Sequence, residues 1–168
     1  NELGYTTMTL SRVVRELTGA GVAKLRIEGR TRWLQVEGAP ADTWERAMPL
    51  LRSPVKRRFW ALRIPNWKAP RVRLAGLSAL ARCSMIAEPQ WPTYAIGPAL
   101  WKTVTQADIE VLPEHLPGAC EYEVWHYNPG LIQGSEIVDP LSLTLSLQGN
   151  SDERVQLALD ELKEHMPW

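Results

Sequence analysis

Two short runs of alternating apolar and polar residues flank Glu28-Gly29-Arg30 within residues 22–36, Val-Ala-Lys-Leu-Arg-Ile-Glu-Gly-Arg-Thr-Arg-Trp-Leu-Gln-Val. Alternation has the period of a strand, and a glycine between two such runs lets the chain reverse, so this segment predicts a β-hairpin. The stretch before it has the helical period. Met8, Leu10, Val13, Val14 and Leu17 recur at spacings of three and four, which predicts an amphipathic helix over Thr6 to Leu17. Thr6 or Thr7 suits its N-cap, because a hydroxyl can accept a bond from an unpaired N–H of the first turn. Gly19 and Gly21 suit its C-terminal turn.

The net charge of the 168 residues is zero, but the charges are divided along the chain. Residues 1–73 carry 15 Lys+Arg against 6 Asp+Glu, a balance of +9, whereas residues 74–168 carry 4 against 13, a balance of −9. A polyanion is the natural partner of the first region. Arg26, Arg30 and Arg32 cluster around the expected hairpin tip, and Val55 to Ile64 reads as extended with Lys56, Arg57, Arg58 and Arg63 along it. Pro65, Asn66 and Pro70 interrupt the pattern and predict a connection near residues 64–71. The expected organisation is therefore a basic region over 1–63 and an acidic domain over 64–168.

Pro40 and Asp42 open a second helix, Asp42 to Leu51, with Trp44, Met48 and Leu51 as its stripe, and Ser53-Pro54 ends it. In the acidic half, Leu74 to Met85 predicts a helix with Leu77, Leu80, Ala81 and Met85 inward. Thr93–Ile96, Ile109–Leu112 and Cys120–Tyr127 are strand candidates. Asp139-Pro140 marks a helix start, although Leu141, Leu143, Leu145 and Leu147 alternate as in a strand. Ser151 to His165 predicts the clearest helix, with Ser151 as N-cap and Val155, Leu157, Leu159 and Leu162 as apolar contacts. The expected fold class is α+β, a partial winged helix-turn-helix followed by a mixed α/β domain.

The segment Gly4-Tyr-Thr-Thr-Met-Thr-Leu-Ser-Arg-Val-Val-Arg-Glu-Leu-Thr-Gly-Ala-Gly-Val22 resembles the turn and recognition helix of winged helix-turn-helix regulators such as the MarR and ArsR groups. Thr6 stands as the small polar cap, Thr9-Leu10-Ser11-Arg12 and Val14 to Leu17 as the helix steps, and Gly21-Val22 as the exit into a two-stranded wing. The resemblance covers about residues 1–38. It implies a transcriptional regulator whose recognition helix enters the major groove of double-stranded DNA while the wing lies on the backbone. It also implies that two helices should precede the recognition helix, so the motif is expected to be N-terminally truncated, Asn1–Gly4 being the tail of the second. Thr7, Ser11 and Arg15 fall at i, i+4 and i+8, one row along a helix, with Thr9 and Arg12 nearby. Thr7, Thr9, Ser11, Arg12 and Arg15 of the helix and Arg26, Arg30 and Arg32 of the wing are the candidate DNA-binding residues. Arginine can bond two acceptors of guanine, and threonine or serine can bond base edges or phosphates.

A second stretch, Arg71-Val-Arg-Leu-Ala-Gly-Leu-Ser-Ala-Leu-Ala followed by Glu88-Pro-Gln-Trp-Pro-Thr-Tyr-Ala-Ile96, resembles the start of the C-terminal domain of abortive-infection antitoxins of the AbiEi type. That implies an alternative, an interaction module of type IV-like antitoxin character that counters a cognate toxin. In either reading the acidic half would sense a ligand, self-associate or hold a protein partner.

Enzymatic readings are weaker. Gly76-Leu-Ser78 lacks the second glycine of a nucleophile elbow, and a helix there suits Ser78 as a small buried residue. Glu121 and Glu123 alternate towards one face with His126 near, an arrangement that an acid–base site could use but that a solvated strand face explains as well. No glycine-rich phosphate loop or dinucleotide fingerprint is present. The expectation is no catalytic residue, no metal and no cofactor. Cys83 and Cys120 are far apart, have no Cys-x-x-Cys spacing and form no ligand-spaced cluster with His115, His126 and His165, which predicts reduced, buried thiols. The eight tryptophans read as core and loop filling, Trp33 and Trp44 packing the wing and the helix after it. Hydrophobic residues are 45% of the chain, which argues against disorder, and no apolar run approaches the roughly 18 residues of a membrane span. With no signal peptide legible at Asn1–Gly4, a cytoplasmic location is expected.

Overall fold

The computed structural model describes residues 6–64, 72–106, 110–131 and 135–166. The first helix, α1 (Thr7–Gly19), begins where Thr6 Oγ1 accepts the Thr9 N–H at 3.2 Å. It ends in a double closure. The Val22 N–H bonds the Leu17 carbonyl at 2.9 Å, and the Gly21 N–H bonds that of Thr18 at 3.2 Å. This Schellman turn needs a left-handed residue, and Gly21 supplies it with φ of 66°. Val22, the apolar residue after it, is buried. A Cβ at Gly21 would meet no atom within 4 Å, so Gly21→Ala tests the backbone term alone. We expect a loss of about 1 kcal/mol in urea denaturation. An unchanged midpoint would mean that the turn is not held as described.

Strands β1 (Ala23–Glu28) and β2 (Thr31–Val36) pair antiparallel from Ala23 opposite Val36 to Glu28 opposite Thr31, so the reversal is Gly29-Arg30 alone. Gly29 has a φ of 59° and Arg30 does not have a positive φ, the pattern of a II′ turn, whose first central residue favours glycine. Helix α2 (Pro40–Ala47) follows, then a 3-10 turn, Met48–Leu50. The α-pattern stops at Pro49, which has no N–H to continue it. Arg46 of α2 ties the preceding segments together. Its guanidinium donates to the Gly21 carbonyl at 2.9 Å and to the Glu37 carbonyl at 2.6 Å. Trp44 and Ala47 are buried, but Trp33 is 55% exposed, so only one of the two tryptophans expected to pack here does so.

These elements form one unit, which ends at Arg52; a second runs from Ser53 to Met166. The division falls before the 64–71 connection suggested by the prolines. The reason is β3 (Val55–Leu62), which is hydrogen bonded along β6 (Ala119–Trp125) and so belongs to the second sheet. Residues 65–71 lie outside those described. The sheet has the order β3-β6-β5-β4, where β4 is Val72–Leu74 and β5 is Thr93–Ile96. β6 is antiparallel to β3 and parallel to β5, and β5 is antiparallel to β4.

The sheet is covered on both faces. On one, Phe59, Ala61, Val72, Ile96, Tyr122 and Val124 pack with Leu100 and Trp101 of α4 (Pro98–Gln106). On the other, Ala95 and Trp125 meet α3 (Gly76–Cys83), α5 (Pro140–Leu147) and α6 (Glu153–Glu164) through Leu80, Leu143 and Leu159. The Asp139 carboxylate accepts the Ser142 N–H at 2.8 Å and starts α5 as its Asp-Pro step predicts. α5 is buried from Ser142 to Leu147, so its leucines need not keep to one stripe. The N-cap of α6 is Asp152, which accepts the Arg154 N–H at 3.0 Å, rather than Ser151. Met85 and Leu157, expected inward, are both exposed. Met85 lies beyond the end of α3, and Leu157 lies off the arc of Val155, Ala158, Leu159 and Leu162. Helix α4 is not among the elements expected from the sequence; Pro98 opens it, at a position where its missing N–H costs no helical hydrogen bond. Of the 109–112 strand candidate, Leu112 makes an isolated bridge to Trp60, and Ile109 lies outside the described residues.

Candidate nucleic-acid interface

The five candidate residues of the first helix are all exposed on α1. Their commitments differ. Thr9 belongs to the cap, with its hydroxyl 3.0 Å from that of Thr6. Arg12 is paired with Glu16 through Nε to Oε1 at 2.9 Å. Thr7, Ser11 and Arg15 remain as the expected row, and Arg15 has no carboxylate partner among the described residues. Val14 and Leu17 of α1 are half-buried; Leu17 lies to one side of this row, whereas Val14, three residues from Ser11 and seven from Thr7, adjoins it.

Strand alternation separates the hairpin arginines that proximity in sequence had grouped. Arg26 lies opposite Trp33, on the face that also holds Lys24, Glu28 and Gln35, and pairs with Glu28 at 2.8 Å. Arg32 lies opposite Ile27, on the other face with Leu25, Leu34 and Val36, and Arg30 occupies the turn. Arg30 and Arg32 are exposed and have no carboxylate partner among the described residues. The wing therefore offers Arg30 at its tip and Arg32 on its apolar face, whereas the two cations of its polar face, Lys24 and Arg26, are paired with Glu37 and Glu28.

In the second unit, Glu121 and Glu123 do share a face of β6, but His126 is not with them. Arg58 donates through Nε and Nη2 to Glu123 Oε1 at 3.0 and 2.9 Å, and the Trp125 indole donates to Oε2 at 3.0 Å. Glu121 accepts from the Thr93 hydroxyl at 3.2 Å, with Arg58 Nε at 3.8 Å. Glu123 is 1% exposed, so this is a structural ion pair rather than an accessible acid–base site. Burial pushes Glu121 above its ordinary value of 4.5, opposed by the charge of Arg58, reinforced by that of Glu123 and opposed by the Thr93 hydrogen bond. The folded chain thus holds this proton to higher pH than the unfolded chain, and ionisation of Glu121 subtracts stability as pH rises through its titration. Glu121→Gln should therefore gain on the parent protein as pH rises above the ordinary carboxyl range, the two urea midpoints converging at the acid end. A gap independent of pH would contradict the burial of this carboxyl.

Ser78 is buried and accepts the Thr93 N–H at 3.0 Å, which ties the start of β5 to α3. Both cysteines are free thiols raised by burial, for Cys120 against the lowering charge of Arg63; Cys120 is buried, but Cys83 is only half-buried. Trp60, Trp91 and His115 form an aromatic cluster, with Trp91 and His115 centroids 4.0 Å apart. Among the described residues, no group of three or more His, Cys, Asp or Glu side chains could hold a metal ion, and no helix is long and apolar enough to cross a membrane. No family model matches the chain, and neither the characterised proteins nor the solved structures contain a match to it.

Proposed function

We propose that the first unit binds double-stranded DNA, with α1 presented to the major groove and the β1–β2 hairpin to the backbone, and that the protein regulates transcription from that site. One observation carries the reading. A helix and a hairpin joined by a tight Schellman turn expose Arg15, Arg30 and Arg32, none with a carboxylate partner among the described residues. Unpaired guanidinium groups suit phosphates and guanine edges, and Ser11 and Thr7 extend the row with short polar groups.

The test is anisotropy of the full-length protein on a duplex from its own upstream region and on a scrambled duplex, at two salt concentrations. Affinity should prefer the upstream duplex and fall by more than about tenfold as salt rises from about 50 to about 200 mM. Arg15→Ala should cost about 1–3 kcal/mol on the preferred duplex, whereas Arg30→Ala should weaken both duplexes alike. Equal, weak binding to both duplexes, unchanged by Arg15→Ala, would overturn the assignment.

A second reading, a protein-interaction module of antitoxin character, is favoured by the other hairpin face. Leu25, Ile27, Leu34 and Val36 lie together there and are all exposed, with Ile27 at 63%.

A further inference from the structure

Beside the edge strand β3 lies a cleft of about 160 Å³ whose lining includes Lys56, Arg57, Trp101, His126 and Pro98, and no carboxylate. Both of its cations come from residues 1–73, the stretch that carries 15 Lys+Arg against 6 Asp+Glu.

Three local features build it. First, neighbouring residues of a regular strand point to opposite faces, but the register of β3 shifts between Val55 and Arg57. Such a bulge re-aims side chains, so two consecutive cations, Lys56 and Arg57, can line one cleft. Second, the Arg57 guanidinium is held over the Trp101 ring, 4.6 Å from its centroid, and Trp101 in turn rests against Phe59 with centroids 5.0 Å apart. Third, Pro98 opens α4 at the cleft, so the partial positive charge of a helix start adds to the two cations. Neither Lys56 nor Arg57 has a carboxylate partner among the described residues, whereas the next residue, Arg58, is committed to Glu123.

We propose that this cleft binds a small phosphate-bearing ligand. Its volume is enough for a phosphate or pyrophosphate group. The ligand would be held by Lys56 and Arg57, with His126 beside it. The inference concerns the second unit alone and stands whether or not the first unit binds DNA.

Calorimetric titration of the full chain with inorganic pyrophosphate tests it, with sodium chloride at matched ionic strength as control. One saturable site is expected with pyrophosphate and none with the chloride. Lys56→Met with Arg57→Met should weaken binding by about tenfold or more, since hydrogen bonds to charged groups are the strong ones. Both side chains are exposed, so folding should survive, and an unchanged thermal midpoint without ligand verifies this. Should the double variant not fold, Lys56→Gln alone should still weaken binding measurably. Absence of saturable binding at millimolar pyrophosphate overturns the proposal, and so does equal affinity in parent and variant. Loss of duplex-DNA affinity in the variant, with pyrophosphate binding unchanged, would instead make this a nucleic-acid contact.

Discussion

Arg58→Met should lower the folding stability by about 3 kcal/mol. The loss comes from the residue left behind. Glu123 is 1% exposed, and Arg58 supplies both donors to its Oε1 while Trp125 serves Oε2. Without the guanidinium, the second unit would hold a buried carboxylate with one neutral donor. The expected loss sits at the low end for broken buried pairs because the Arg58 side chain keeps 49% of its exposure. Urea denaturation of four proteins (parent, Arg58→Met, Glu123→Leu and the double variant) measures it as a coupling energy. The double variant should recover most of the loss, since an apolar pair of similar volume needs no counter-charge. A loss under about 1 kcal/mol, or a double variant no better than Arg58→Met, would show that solvent reaches Glu123 after all.

Leu143→Ala should cost about 3 kcal/mol, within the range for a leucine that leaves a cavity in a packed core. Leu143 has no exposed surface and sits in α5 within the cluster formed with Leu80, Trp125 and Leu159. The informative comparison is Leu157→Ala. That residue also belongs to an apolar run on a helix, but it is 63% exposed and should change stability by no more than about 0.5 kcal/mol. Equal effects at the two positions would mean that α5 and α6 do not pack on the sheet as described.

Leu143 also shows where sequence reading is sound and where it is short of information. The alternation of Leu141, Leu143, Leu145 and Leu147 has the strand period, and the correct helix rested on Asp139-Pro140. A cap acts through atoms three residues apart, so its evidence lies within the local sequence. The same holds for Thr6 before α1 and for the turn at Gly29. Periodicity is less secure, because it reports which side is buried, and α5 is buried on all sides. Helix α4 has no side-chain cap in its local sequence beyond Pro98, and a proline is compatible with either a break or a start.

The candidate DNA-binding residues were legible only as a set. All eight are exposed, yet chain position alone did not reveal that Thr9 belongs to a cap, that Arg12 and Arg26 are paired, or that Arg26 and Arg32 point to opposite faces. The cationic cleft left a sharper trace, the run Lys56-Arg57-Arg58. Its meaning depends on a bulge and on a helix far along the chain.

The sequence by itself determined the local elements, because caps, glycine turns and alternation act between residues a few positions apart: α1 with its closure at Gly21, the hairpin about Gly29, and the start of α5 at Asp139. Only the tertiary structure decided which unit β3 joins and what its arginines do. Arg58 meets Glu123 across 65 residues of chain, and no local signal encodes that pairing; it follows from the hydrogen-bonded register of β3 on β6 and the low polarity of the face that buries the carboxylate.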